Sequence, residues 1–118
     1  MLKLVRCTRE GRVGHVTATG HVIQKDSWFV ALPATKALDR IIRLRRAGTE
    51  AFFTAPVLDV GPWNTHDEAY VFGSARPQAE SGVDDTGRQT NGSGIDLSDL
   101  VFKSIGMPDN GMVEWEFV

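Results

Sequence analysis

The chain has 118 residues, 13 Lys and Arg against 15 Asp and Glu for a formal net charge of −2, and 42% hydrophobic and 24% charged residues. That length holds one domain, 1–118, around one core, and the composition is that of a globular protein rather than a disordered or fibrous one. The near-neutral balance gives no electrostatic footprint for nucleic acid or an anionic membrane, so no nucleic-acid partner is expected.

Cys7 is the single cysteine, which leaves no disulfide within the chain and no cysteine metal site. His15, His21 and His66, with Asp67, Asp84 and Asp85, show no recurring ligand spacing. Asp84-Asp85-Thr86-Gly87 lacks the later glycine and terminal glutamate of a calcium loop. No metal and no cofactor are expected. Nor is a membrane span, because no apolar run approaches the ~20 residues one needs. The opening MLKLVRCTREGR places charges too early for a signal-peptide core. The expected location is the cytoplasm, or outside the cell by a route with no recognisable leader.

Taken in order, Leu2, Leu4 and Cys7 against Lys3, Arg6 and Thr8 predict an opening strand, and Glu10-Gly11-Arg12 a turn. A weak alternation from Val13 to Thr19 predicts a second strand ending in Thr17-Ala18-Thr19-Gly20. Trp28 to Leu32 is a continuous apolar run, suited to a buried strand. Pro33 to Leu38 predicts one helical turn. Arg40–Arg45 and Ala51–Leu58 predict a hairpin across Ala47–Glu50, with Pro56 marking a sheet edge or a bulge. The arginines at 40, 43, 45 and 46 read as a solvated face.

From 64 to 93 Gly, Ser, Asp, Asn, Gln and Thr dominate, and a long inserted loop is expected, of a kind that is usually functional or mobile. Ser98 then predicts a helix N-cap, Leu100, Val101 and Ile105 its buried face, and Gly106 its end. Met112 to Val118 alternates, with Val113, Trp115 and Phe117 on one side and Glu114 and Glu116 on the other. About six short strands with one or two small helices predict a mainly β, closed or nearly closed barrel.

Two acids stand at the mouths of these elements: Asp59 at the end of a strand before Gly61-Pro62, and Asp96 just before a helix. Each also has a plain structural use. Asp59 suits the capping of backbone amides in the Gly-Pro turn, and Asp96 the helix N-terminus, worth about 0.3–1 kcal/mol. Trp63 and Tyr70 are candidates for stacking on sugar faces, whereas Trp28 and Trp115 fall in strand patterns and read as core.

The order of these pieces resembles the double-psi β-barrel domain of the rare lipoprotein A (RlpA-like) family. Thr17-Ala18-Thr19-Gly20 matches its small-residue motif and Asp59-Val60-Gly61-Pro62-Trp63 its D-x-G-P-aromatic motif. Ile95-Asp96-Leu97-Ser98, followed by Ile105-Gly106-Met107, matches the segment that opens and closes its helix. The resemblance implies a six-stranded double-psi barrel with a long insertion at about 64–93. It further implies a cell-envelope or periplasmic setting and action on peptidoglycan or another polysaccharide. If the chain is an enzyme, the implied reaction is lytic transglycosylation of the peptidoglycan strand, with Asp59 and Asp96 catalytic. Trp63, Asn64, Tyr70, Thr19 and His66 are then the candidates for holding substrate. The alternative is a non-catalytic module that binds polysaccharide or joins partner subunits in an assembly such as a phage particle. Two departures bear on the choice. Active relatives carry a histidine where this chain has Phe29-Val30-Ala31-Leu32-Pro33-Ala34-Thr35, and they lack the long insertion.

Overall fold

The computed structural model describes all residues, Met1–Val118. Six strands carry the fold: β1 Lys3–Arg9, β2 Val30–Leu32, β3 Ile41–Arg46, β4 Phe53–Val60, β5 Ile95–Leu97 and β6 Gly111–Phe117. They close into a barrel in the order β1-β5-β2-β4-β3-β6. The pairs β1–β5 and β2–β4 are parallel and the other four antiparallel. Two short helices, α1 Glu68–Val71 and α2 Asp99–Ser104, add Tyr70, Val71, Val101 and Phe102 to the core. The fold is therefore mainly β, as the strand patterns predict. No helix is long and apolar enough to cross a membrane.

Alternation builds the interior. Val5 and Cys7, Ile42 and Leu44, Ala55 and Val57, Ile95 and Leu97, and Val113 and Trp115 all point inward and are buried. β2 is buried at Val30, Ala31 and Leu32 alike, as its unbroken apolar run requires. The β3–β4 hairpin pairs Ile42 with Ala55 and Leu44 with Phe53. On the outer face Arg43 pairs with Glu116 and Arg45 with Glu114 across β3 and β6, so the arginine-rich face is solvated but ion-paired.

Several expectations change. In β1 the inward positions are Val5 and Cys7, while Leu4 is exposed. With Lys3, Arg6 and Thr8 all holding aliphatic stems or methyls, the polarity of β1 does not mark its inner face. Val13–Thr19 forms no strand, only an isolated bridge between Val16 and Val22. Pro56 does not mark an edge, since β4 is paired on both sides. Its ring nitrogen faces β2 just ahead of Val57, where pairing with that strand starts, so no ladder bond is lost. The bulge lies two residues further on, at Leu58: Val30 pairs with Val57 but Ala31 with Asp59.

The segment 64–93 is not structureless. It holds α1, a 3-10 turn at Gln78–Ser81 and a bridge between Val83 and Gln89. It is fastened to the core through Tyr70, whose hydroxyl donates to the Gly94 carbonyl at 2.9 Å and accepts from the Trp115 indole N–H at 2.8 Å. At the start of α2 the Ser98 hydroxyl does not cap the helix. It accepts from Phe29 N–H at 3.2 Å, tying the helix entry to β2. At the other end the Gly106 and Met107 amides bond to the carbonyls of Lys103 and Phe102, with Gly106 at φ 88°. This is the 5→2 and 6→1 pattern that a C′ glycine permits.

Candidate functional site

Four adjacent strands each contribute one residue to a single row on the outside of the barrel. Thr8 of β1 is in register with Asp96 of β5, Asp96 with Ala31 of β2, and Ala31 with Asp59 of β4. Paired residues share a face, and the inward partners Cys7–Ile95 and Val30–Leu97 confirm the sense of this one. The Leu58 bulge decides whether Asp59 belongs to the row. With Val57 inward, strict alternation would send residue 59 into the core; the extra residue turns it outward beside Ala31. Strand spacing then puts the Asp59 and Asp96 Cα atoms ~10 Å apart, with only a methyl between them.

A third carboxyl joins them. Glu10 follows β1, and its N–H bonds to the Leu97 carbonyl at 2.8 Å, extending the β1–β5 ladder by one residue. Gly11 and Arg12, at φ 62° and 58°, then turn the chain away. The Glu10 carboxyl neighbours that of Asp59 in the same cleft, and its Oε2 is buried with no hydrogen-bond partner. Burial first, then the nearby Asp59 carboxyl and the charge of Asp96, push Glu10 up to about 9, against a smaller lowering by Arg12. Burial also raises Asp96, to about 6; the Thr8 hydroxyl bonded to its Oδ1 opposes this, and the Asp59 charge adds to it. Asp59 is held differently, because its Oδ1 accepts the Ala18 amide at 3.0 Å and its own neighbour's, Val60, at 2.9 Å. The Thr17–Gly20 segment is thereby pinned to the acid of the Gly-Pro turn.

The connection that follows β4 builds the opposite wall. After the cis Gly61–Pro62 peptide, Trp63 stands at φ 68° and donates its indole N–H to Asn91 Oδ1 at 3.0 Å. The Arg88 guanidinium lies 5.7 Å from the Trp63 ring and 3.4 Å from the Trp63 carbonyl. Arg88 is itself set by Asp84, which also accepts from the Thr86 and Arg88 amides, so Asp84 is spent on its own loop. Asn64 is 2% exposed. Its Oδ1 accepts from Asp85 N–H at 2.9 Å, while its Nδ2 has no partner. Together these elements enclose an open cleft of about 560 Å³, in which Arg9, Arg12 and Asn110 complete the lining.

Of the residues the sequence singles out, Asp59, Asp96, Trp63 and Asn64 meet in this cleft. Tyr70 does not: it is buried against Trp115, with its ring edge-on to the indole, and presents no face to a ligand. His66 bridges to Ala34 and Thr19 bonds to the Leu58 carbonyl, both outside the lining. Sequence reasoning missed Glu10, Arg12, Arg88 and Asn91. Glu10 reads locally as the first polar residue of a glycine turn, and only the parallel β1–β5 pairing carries it to Asp59. No group of three or more His, Cys, Asp or Glu side chains is placed to hold a metal ion.

The fold and cleft define a closed, mixed six-stranded barrel with a groove on its outer face lined by three carboxyls and three arginines. The chain belongs to the family described as a domain of unknown function (DUF8814), which matches residues 2–116. No curated protein matches it.

Proposed function

We propose that the protein acts on a polysaccharide, with cell-wall glycan as the favoured substrate, through the cleft between the acid row and Trp63. The observation that carries this reading is the pairing of raised carboxyls at Glu10 and Asp96 with an aromatic ring and an unpartnered amide donor across one open groove. Glycosidic bonds are cleaved by carboxyl groups that deliver and retrieve protons. Sugars are held by aromatic faces and neutral donors of the kind Trp63 and Asn64 offer. Under this reading the barrel is of the double-psi, RlpA-like kind. Its small-residue segment, its D-x-G-P-W turn and its helix-opening Asp96 then converge because they are parts of one binding groove. If the reaction is lytic transglycosylation, the sugar's own 6-hydroxyl replaces water as the attacking group.

A second reading, a binding or assembly module without catalysis, is favoured by Asp59's two backbone bonds, which give that acid a structural use. Incubation with purified peptidoglycan sacculi, followed by mass spectrometry of soluble products and sedimentation of the protein, separates the two. Anhydro-muropeptides in the supernatant establish the enzyme. Pelleting without products leaves the binder. Neither would overturn the polysaccharide reading. Trp63→Ala is expected to reduce pelleting at least tenfold while leaving the melting temperature within a few degrees; full retention would remove Trp63 from the binding face.

A further inference from the structure

We infer that Glu10, rather than either aspartate of the motif-like segments, is the proton donor of the cleft, with Asp59 as its positioning partner. The inference rests on the polysaccharide reading above and assigns its chemistry to a residue that no motif marks.

Its basis is geometric. Glu10 and Asp59 line one cleft as neighbouring carboxyls, and two carboxylates have only acceptors to offer each other, so one of the pair is favoured as the protonated acid. Asp59 already takes two backbone amides on Oδ1, an arrangement that suits the charged partner. The proton therefore resides on Glu10. Asp59 from β4, Asp96 from β5 and Arg12 from the turn that follows act on Glu10, and Arg9 and Arg88 line the same cleft. The two acids outweigh Arg12. The Glu10 Oε2 has no hydrogen-bond partner, yet is shielded from solvent at the cleft wall.

A second orphan lies across the same cleft. Asn64 is 2% exposed, its carbonyl oxygen is fixed by Asp85, and its Nδ2 is left without an acceptor. A buried polar atom without a partner is costly to keep. Two of them lining one groove mark where a ligand's oxygens complete the bonding. A hydroxyl or amide oxygen of a sugar beside Trp63 satisfies Asn64, and the neighbouring glycosidic oxygen meets Glu10.

In the step itself the Glu10 O–H transfers its proton to the glycosidic oxygen as the bond from the anomeric carbon to that oxygen breaks. The bonding pair leaves with the oxygen, which departs as a hydroxyl. The electron-poor anomeric carbon is captured by water or by the 6-hydroxyl of the same sugar. The Glu10 carboxylate takes the proton released by that attack, which restores the starting acid.

The test compares wild type, Glu10→Gln and Glu10→Asp on purified sacculi, following product release against pH together with pelleting. It is paired with a carbon-13 carboxyl titration of the free protein. Expected are a loss of release of at least 100-fold in Glu10→Gln with pelleting retained, and partial release in Glu10→Asp with a displaced alkaline limb. Wild-type release should fall as pH rises past about 9, and the Glu10 titration should move to lower pH in Asp59→Asn. Wild-type release by Glu10→Gln would overturn the inference and leave the polysaccharide reading standing. A Glu10 that titrates in the ordinary glutamate range would overturn it whatever the substrate. Wild type that neither releases product nor pellets would overturn both.

Discussion

A carboxyl kept protonated in the folded state weighs on stability as pH rises. Glu10 is raised from 4.5 to about 9 and Asp96 from 3.8 to about 6. Between those limits the folded protein binds more protons than the unfolded chain, so stability declines with increasing pH. For Asp96 the decline runs from about pH 4 to 6, and for Glu10 from about pH 4.5 to 9. Glu10→Gln removes the second of these. Thermal melts across pH are expected to show the variant no more stable than wild type near pH 4 and progressively more stable towards pH 8. A constant offset across that range would mean that Glu10 titrates normally. With Glu10 held protonated, function and stability are opposed at one residue, as often happens where a site keeps a group away from its ordinary ionisation. At this scale Asp59, Asp96, Trp63 and Asn64 were legible because each adjoins a turn or element end whose local chemistry stands out. Glu10 was not, because its partner lies 49 positions away in the chain.

The elements were readable where a single period governs them. The β3–β4 hairpin, the alternation of β6 and the glycine end of α2 follow from local sequence. What was hidden is what tertiary pairing decides: the Leu58 bulge, the inner face of β1 and the use of the Ser98 hydroxyl. Ser98 is fully buried, and its Oγ supplies the acceptor for Phe29 N–H where β2 begins. Ser98→Ala leaves that amide without a partner and is expected to cost about 1–3 kcal/mol in denaturant unfolding. If the hydroxyl served only as a helix cap, the loss would accompany fraying of α2, with the Phe29 amide still protected from hydrogen exchange. Protection at Phe29 is expected to fall instead. Gly94 is a similar constraint beside β5, since a Cβ there would meet Tyr70 Oη at 2.9 Å and Pro77 Cγ at 2.8 Å. Gly94→Ala should therefore lower the melting temperature without touching the cleft lining.

Across the whole molecule, two parallel strand pairs oblige the chain to cross the barrel ends before returning. Such non-local closure slows folding relative to a meander of the same size. The crossover between β4 and β5 is the segment 64–93, and it serves both the cleft and the interior. Its Asn64, Arg88 and Asn91, with Trp63 just ahead of it, form one wall, while Tyr70 is 1% exposed within the core. Tyr70→Phe strands the Trp115 indole N–H and the Gly94 carbonyl together, and a loss of about 1–3 kcal/mol per unsatisfied group is expected from denaturant titration. A loss below half a kilocalorie would show that the indole finds another acceptor.

The Tyr70–Trp115 bond also sets a limit on how this barrel can have diversified. Surface insertions are ordinarily interchangeable parts, gained or trimmed without disturbing what they decorate. Here the indole of the last strand depends for its only acceptor on a side chain from the long connection between β4 and β5. A shorter cousin of this barrel would have to carry something other than tryptophan at that strand position, or bring an acceptor from elsewhere. Ancestry within the family should therefore be traceable in the covariation of two core aromatics.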